Sequence, residues 1–324
     1  MAIEPLEGRY ERIEDVEALW QLPATLPPKG LALCLHGAMH GAVNFFPSSP
    51  GCPQAEPLPE SMRIARALLG DGWAVLALSS SMRTDPRKWD FDIDGPRVVR
   101  ASESFRERHG LGAIPLLALG VSSGGRLALM LPRLMRLDAI VAQIMALHPS
   151  ELLAQTGHSF PPTLFVHMAR DGDGPITCTS VRGGQGECVA DCLQDLRRRG
   201  VRCDEILAAP SPVHAGFFAE RIPGCSPDLS AAVRQALVEV GVLDASSSML
   251  RQDPRTSNAW KENLAQQCPG ILARLPGVKP GEAETLRPDL SPLCEVLNAA
   301  YAQHEITADH MGATLEFVTA ALLR

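Results

Sequence analysis

A chain of 324 residues exceeds the usual single-domain size, which predicts either one large α/β domain with an appendage or two domains. Hydrophobic residues make up 45% and charged residues 21%, an ordinary globular balance without the bias of collagen, coiled coils or wholesale disorder. The formal net charge of -7 repels a polyanion on average, and no basic run is interleaved with aromatics, so nucleic acid is not an expected partner.

The opening stretch MAIEPLEGRYERIEDVEALW carries acids early and lacks an apolar targeting core, so the expected address is cytoplasmic. Residues 8–26 offer one or two antiparallel edge strands. From residue 31 onward short apolar runs alternate with longer amphipathic ones, the pattern of a mostly parallel sheet covered on both faces. Strands are expected at 31–35, 73–78, 115–120, 139–147, 163–168 and 203–208, and helices at 59–69, 95–109, 123–135 and 187–199. The fold class that follows is α/β, with a doubly wound sheet. Residues 39–59, rich in Pro, Ser and Gly, read as a long surface loop after the first core strand.

Beyond a helix at 227–242 the chain has several helical runs and no strand-like one, which predicts an α-helical appendage. The expected boundary therefore lies at residue 244, with a main domain over 1–244 and a helical extension over 245–324. No apolar stretch approaches the ~18 to 20 residues that cross a bilayer, so no membrane span is expected. The nine cysteines, an odd count without a secretory signal, read as reduced thiols. Cys188 and Cys192 lie one helical turn apart but have no CxxC pair beside them, which favours structural thiols over metal ligands.

The sharpest chemical signal is LLALGVSSGGRLAL, where Gly120, Ser122 and Gly124 form G-x-S-x-G between an apolar strand and a helix start. A strand running straight into a helix pushes the intervening side chain outward in a strained conformation, and small neighbours let the backbone close. The Ser122 hydroxyl is then exposed as a nucleophile. The Ser123 N–H points into the same space, and the helix N-terminus adds a positive field where oxyanion charge develops. Upstream, LALCLHGAMH sets His36 and Gly37 at the end of the first core strand. His36 reads better as a residue that shapes its loop than as a chemical group.

An HG pair after one strand followed by G-x-S-x-G after another resembles the α/β-hydrolase superfamily, over about residues 10–244. GVSSGG, PTLFVHMARD and AERIPG are similar to sequences of plant and algal α/β-hydrolase-like proteins. The resemblance implies that the Ala38 N–H joins that of Ser123 in an oxyanion hole, with Met39 as the alternative donor. It also implies an acid and then a histidine in chain order, each just past a sheet strand. Asp171, after the run 163–168, fits the acid, with Asp173 as a substitute. His214 in APSPVHAGFF, after the last strand, fits the base, and an imidazole that titrates near neutrality suits proton transfer.

Other histidines compete with it. His148 is out of order for the pattern, and His167 sits within a strand and reads as buried. His304, Glu305 and His310 evoke a zinc helix, yet HExxH needs histidines four apart and these are six apart. His304 is kept as a fallback base carried by the appendage. Substrate contacts are expected from the loop 39–59, through Met39, Phe45 and Phe46, and from 79–89. With four Trp and two Tyr in the chain, an aliphatic or small pocket is expected rather than an aromatic sugar cleft.

The expectation is thus a serine hydrolase of the carboxylesterase kind, cleaving a small acyl ester through Ser122, His214 and Asp171, with no cofactor and no metal. The rival from another class is a catalytically silent binding protein that keeps the pocket but lacks an aligned base. A peptidase or an acyltransferase on the same residues is a third possibility.

Overall fold

A computed structural model of the chain describes residues 5–82, 84–171, 185–277, 286–287 and 289–323, without the side chains of 185–188. The elements run β1 (Arg9–Ile13), β2 (Val16–Gln21), β3 (Gly30–Leu35), α1 (Pro59–Gly70), β4 (Trp73–Leu78), α2 (Phe91–Arg108), β5 (Leu116–Val121), α3 (Ser123–Met130), β6 (Ala139–Gln143), β7 (Thr163–Met168), α4 (Gln185–Arg198) and β8 (Cys203–Ala208). Six helices follow among the described residues: α5 (Phe217–Arg221), α6 (Pro227–Glu239), α7 (Ala259–Gln267), α8 (Pro269–Leu272), α9 (Pro292–Tyr301) and α10 (Met311–Leu322).

The strands form one eight-stranded sheet in the order β1-β2-β4-β3-β5-β6-β7-β8. β1, β2 and β4 pair antiparallel, and every other neighbour is parallel. This is a doubly wound, mostly parallel sheet with a helical C-terminal part. The strand order reverses between β3 and β5, and ligands of open α/β sheets lie outside the strand carboxyl ends at such a reversal. The β1–β2 hairpin closes through Glu14 and Asp15, both left-handed, a two-residue turn whose twist matches its strands.

Each central strand is buried on both faces, so alternate residues feed different cores. Leu31, Leu33 and Leu35 belong to the core that includes residues of α2, α3 and α4, while Ala32 and Cys34 belong to the core that includes residues of α1 and α10. A third apolar cluster draws all its members from residues 213–301, with Phe217, Phe218, Trp260 and Leu297 at its centre. The expected boundary at residue 244 falls inside this cluster. The last helix, α10, leaves it and contributes Met311, Phe317 and Val318 to a core shared with the sheet.

Several expected bounds shift for local reasons. The helix expected from residue 95 begins at Phe91, because the Asp90 carboxylate accepts the Asp92 and Ile93 N–H groups and Asp92 and Asp94 complement the helix N-terminus. The helix expected to reach 135 stops at Met130 and tightens into a 3-10 turn over Leu131–Arg133, where Pro132 has no N–H to continue it. The strand expected to reach 147 ends at Gln143, since Ile144 turns left-handed and carries the chain off the sheet. No described helix is long and apolar enough to cross a membrane.

Candidate active site

Ser122 stands between the last residue of β5 and the first of α3, with φ 49° and ψ −115°. This is a backbone region that non-glycine residues enter only when their surroundings hold them there. Here the Ser122 N–H donates to the Gln143 carbonyl at 2.9 Å, fixing the corner to β6. The glycines on either side are required by space. A Cβ on Gly120 would lie 2.2 Å from the Gly124 carbonyl oxygen, and one on Gly124 would lie 2.2 Å from that of Leu35. The helix start is thus pressed against the ends of β3 and β5, and the hydroxyl is turned out over the sheet edge.

The imidazole that meets this hydroxyl belongs to His304. Its Nε2 lies 3.0 Å from Ser122 Oγ, and its Nδ1 lies 3.1 and 3.2 Å from the two carboxylate oxygens of Asp171. With Nδ1–H donating to Asp171, Nε2 presents its lone pair to the serine hydroxyl. Asp171 lies in the turn just past β7, its N–H bonded to the Met168 carbonyl at 3.0 Å and its carboxylate fully buried. The alternative acid, Asp173, lies outside the described residues.

His214, expected as the base, is not brought to the serine. Its ring is half exposed, with Nε2 3.4 Å from Glu220 Oε2 and its edge against Phe217. The reason is topological: after β8 the chain does not turn back over the sheet but enters the helices of the third cluster. The histidine reaching the sheet edge comes only after α9, where Ala302 ends the helix in a left-handed conformation. His148 pairs with Ser150, and buried His167 pairs with Glu205. No group of three or more potential metal ligands exists among the described residues, and His310 precedes α10 while His304 faces Ser122.

The loop carrying His304 is bonded on every side. The Gln143 side chain donates Nε2–H to the Thr307 carbonyl and accepts the Thr307 N–H at Oε1, both at 3.0 Å. The Ala308 N–H donates to Glu60 Oε2 at 2.7 Å, and Arg255 Nη2–H donates to the His304 carbonyl at 3.2 Å. Behind the loop three carboxylates, Glu60, Glu295 and Glu305, are almost wholly buried. Burial pushes Glu295 well above the usual carboxylate range, and the nearby charges of Glu305 and Glu60 push it the same way. Burial also raises Glu60, against the pull of Arg63. None of these contacts has a sequence signal: Gln143 and Thr307 are 164 positions apart and carry no motif.

The Ser123 and Ala38 N–H groups, the expected oxyanion donors, have no acceptor among the described residues. Ser123 opens α3, where orphan N–H groups and the helix dipole both favour negative charge. Gly37, just before Ala38, abuts the corner: a Cβ placed on it would sit 3.8 Å from Ser122 Cβ. Met39 does not serve as the alternative donor, because its N–H donates to the Pro86 carbonyl at 2.7 Å. His36 is buried and structural. Its Nε2 accepts the Ser80 N–H at 3.0 Å, which leaves the proton on Nδ1 to donate to the Gly37 carbonyl, and Trp89 donates to the His36 carbonyl.

Of the residues expected to touch substrate, Met39 stays half-buried beside the site, in a left-handed conformation. Phe45 and Phe46 are not available to a ligand, being 1% and 0% exposed in the core under α1. The loop folds inward because Asn44 ties it in both directions. The Gly41 N–H donates to Asn44 Oδ1 at 2.8 Å, and Asn44 Nδ2–H donates to the Glu56 carbonyl at 2.7 Å.

No family model matches the sequence, and no curated protein matches it. Solved structures similar to it include an α/β serine hydrolase of Xanthomonas campestris, at 15% identity and TM-score 0.40, over 74% of this chain and 97% of that one. A dienelactone hydrolase of Anabaena variabilis is similar at 16% identity and TM-score 0.42, over 64% and 87%. An esterase/lipase from an uncultured bacterium is similar at 14% identity and TM-score 0.43, over 74% and 86%.

Proposed function

We propose that this protein is a serine hydrolase that cleaves acyl esters through a covalent acyl-enzyme. The observation that carries the reading is the line of contacts from Ser122 Oγ through both ring nitrogens of His304 to Asp171. In this reading the hydroxyl attacks the ester carbonyl as its proton passes to His304 Nε2. His304 then returns that proton to the departing alcohol, and a water repeats the sequence to release the acid. Asp171 keeps the imidazole in the Nδ1–H tautomer and stabilises the imidazolium. The Ala38 and Ser123 N–H groups receive the oxyanion, each donor typically worth ~3 to 4 kcal/mol of barrier.

The test is hydrolysis of a panel of p-nitrophenyl esters with labelling by a fluorophosphonate probe. The protein is expected to turn over short acyl esters and to carry the probe on Ser122 in peptide maps. Ser122→Ala is expected to lose the label and on the order of 10⁶-fold in kcat. Undiminished turnover by that variant removes the proposal.

A further inference from the structure

His304 occupies a left-handed backbone conformation, φ 37°, which a bulky side chain adopts only where its surroundings impose it. The group bonded to that residue's own carbonyl is Arg255, from the helical segment between β8 and the His304 loop. One arm of its guanidinium, Nη2, donates to the His304 carbonyl at 3.2 Å and to Glu305 Oε2 at 2.6 Å. The other arm, Nη1, donates to the Asp289 carboxylate. Burial alone works to lower the Arg255 guanidinium, but Glu305 and Asp289 outweigh it and keep the group charged.

The partners are themselves fixed. Glu305 Oε2 also accepts Asn298 Nδ2–H at 3.0 Å, and its Oε1 accepts the Ile306 N–H at 3.1 Å. The Asp289 carbonyl accepts His40 Nε2–H at 2.9 Å, and His40 follows the Gly37–Ala38 step by two residues. A single side chain therefore joins the loop bearing the imidazole to a segment resting on the loop that bears an oxyanion donor.

We infer that Arg255 is a positioning residue for His304, so that seating of the helical segment on the sheet body sets the geometry of proton transfer. The inference rests on reading Ser122 and His304 as the reacting pair. Arg255 touches no reacting atom. It acts by holding the His304 carbonyl, and with it the direction of the ring, while the planar fork of guanidinium donors reaches three acceptors at once. A lysine in its place supplies the charge as a point and cannot reproduce that fork.

The experiment compares the full chain with Arg255→Met and Arg255→Lys, each first shown by circular dichroism to be folded at the assay temperature. Three readouts are taken: kcat and KM on a p-nitrophenyl ester, the rate of fluorophosphonate labelling of Ser122, and the downfield proton resonance of His304 Nδ1–H, assigned by its loss in His304→Gln. Both variants are expected to lose about 10²-fold in kcat and labelling rate with KM unchanged, the cost of a misplacement on the order of 1 Å. The Nδ1–H resonance is expected to broaden or vanish. If Arg255→Met does not fold, Arg255→Lys decides.

Folded variants that keep both the labelling rate and the resonance overturn the inference, as do variants that merely melt earlier. If the unmodified protein neither labels nor turns over an ester, the hydrolase reading fails. The Nδ1–H resonance then still decides whether Arg255 orders His304.

Discussion

At the scale of single residues, the geometry separates two histidines that composition cannot tell apart. His304→Ala is expected to cost on the order of 10⁶-fold in kcat, close to the loss for Ser122→Ala, since residues of a catalytic unit fail together. His214→Ala is expected to leave kcat unchanged, because among the described residues its half-exposed ring meets Glu220 and Phe217, away from Ser122. Steady-state kinetics on one ester distinguishes the outcomes, and the reverse ranking would overturn the assignment of the base. The Ser122 corner was legible in the sequence because its demands are local: a glycine two residues either side, an apolar strand before, a helix after. Asp171 was legible for a similar reason, its strand being a plain apolar run. The imidazole was not, because it arrives after helices whose length no local rule bounds, and chain order alone admitted either His214 or His304.

At the scale of elements, Gln143 shows how a strand end can hold two loops together. Its carbonyl fixes Ser122, and its side chain pairs with both backbone groups of Thr307. Gln143→Ala leaves the Thr307 N–H and C=O without partners in a buried place, at about 1–3 kcal/mol for each group. A loss on the order of 3 kcal/mol in urea unfolding is expected. A loss within experimental error would mean that water replaces the amide. The starts of the parallel strands were readable to within a residue, because runs buried on both faces are continuous in hydrophobicity. The ends of elements were less readable, since Pro132 after α3 and the left-handed Ile144 after β6 act through the geometry of the next turn.

At the scale of the whole molecule, the buried acids between the sheet body and the helical segment predict a pH dependence of stability. Glu295 Oε2 accepts the Glu60 N–H at 2.9 Å, and its Oε1 has no partner among the described residues. Burial, with Glu305 and Glu60 nearby, raises the folded-state pKa above the ordinary value of 4.5. The native state therefore binds this proton more tightly than the unfolded chain. That contribution is fully present below about pH 4.5 and is lost as pH rises through the higher folded value.

The urea midpoint is thus expected to fall as pH rises above about 4.5. Glu295→Gln, neutral at every pH, is expected to flatten that fall without abolishing it, since Glu60 is raised too. Parallel slopes for the two proteins would argue that Glu295 is ionised throughout. The helical character of the stretch after residue 244 was legible in the sequence. That its last helix would lie against the sheet was not, because an apolar helix face does not name its partner.

The hydroxyl and the imidazole of this site are 182 positions apart in the chain. During synthesis Ser122 and Asp171 emerge early and can take their places on a growing sheet, while His304 is still to be translated. A partly made chain therefore lacks the Ser122–His304–Asp171 contacts however well its first half has folded. A protease cut anywhere between β8 and α9 would leave the Ser122 hydroxyl and the His304 imidazole on separate fragments, held together by noncovalent contacts alone.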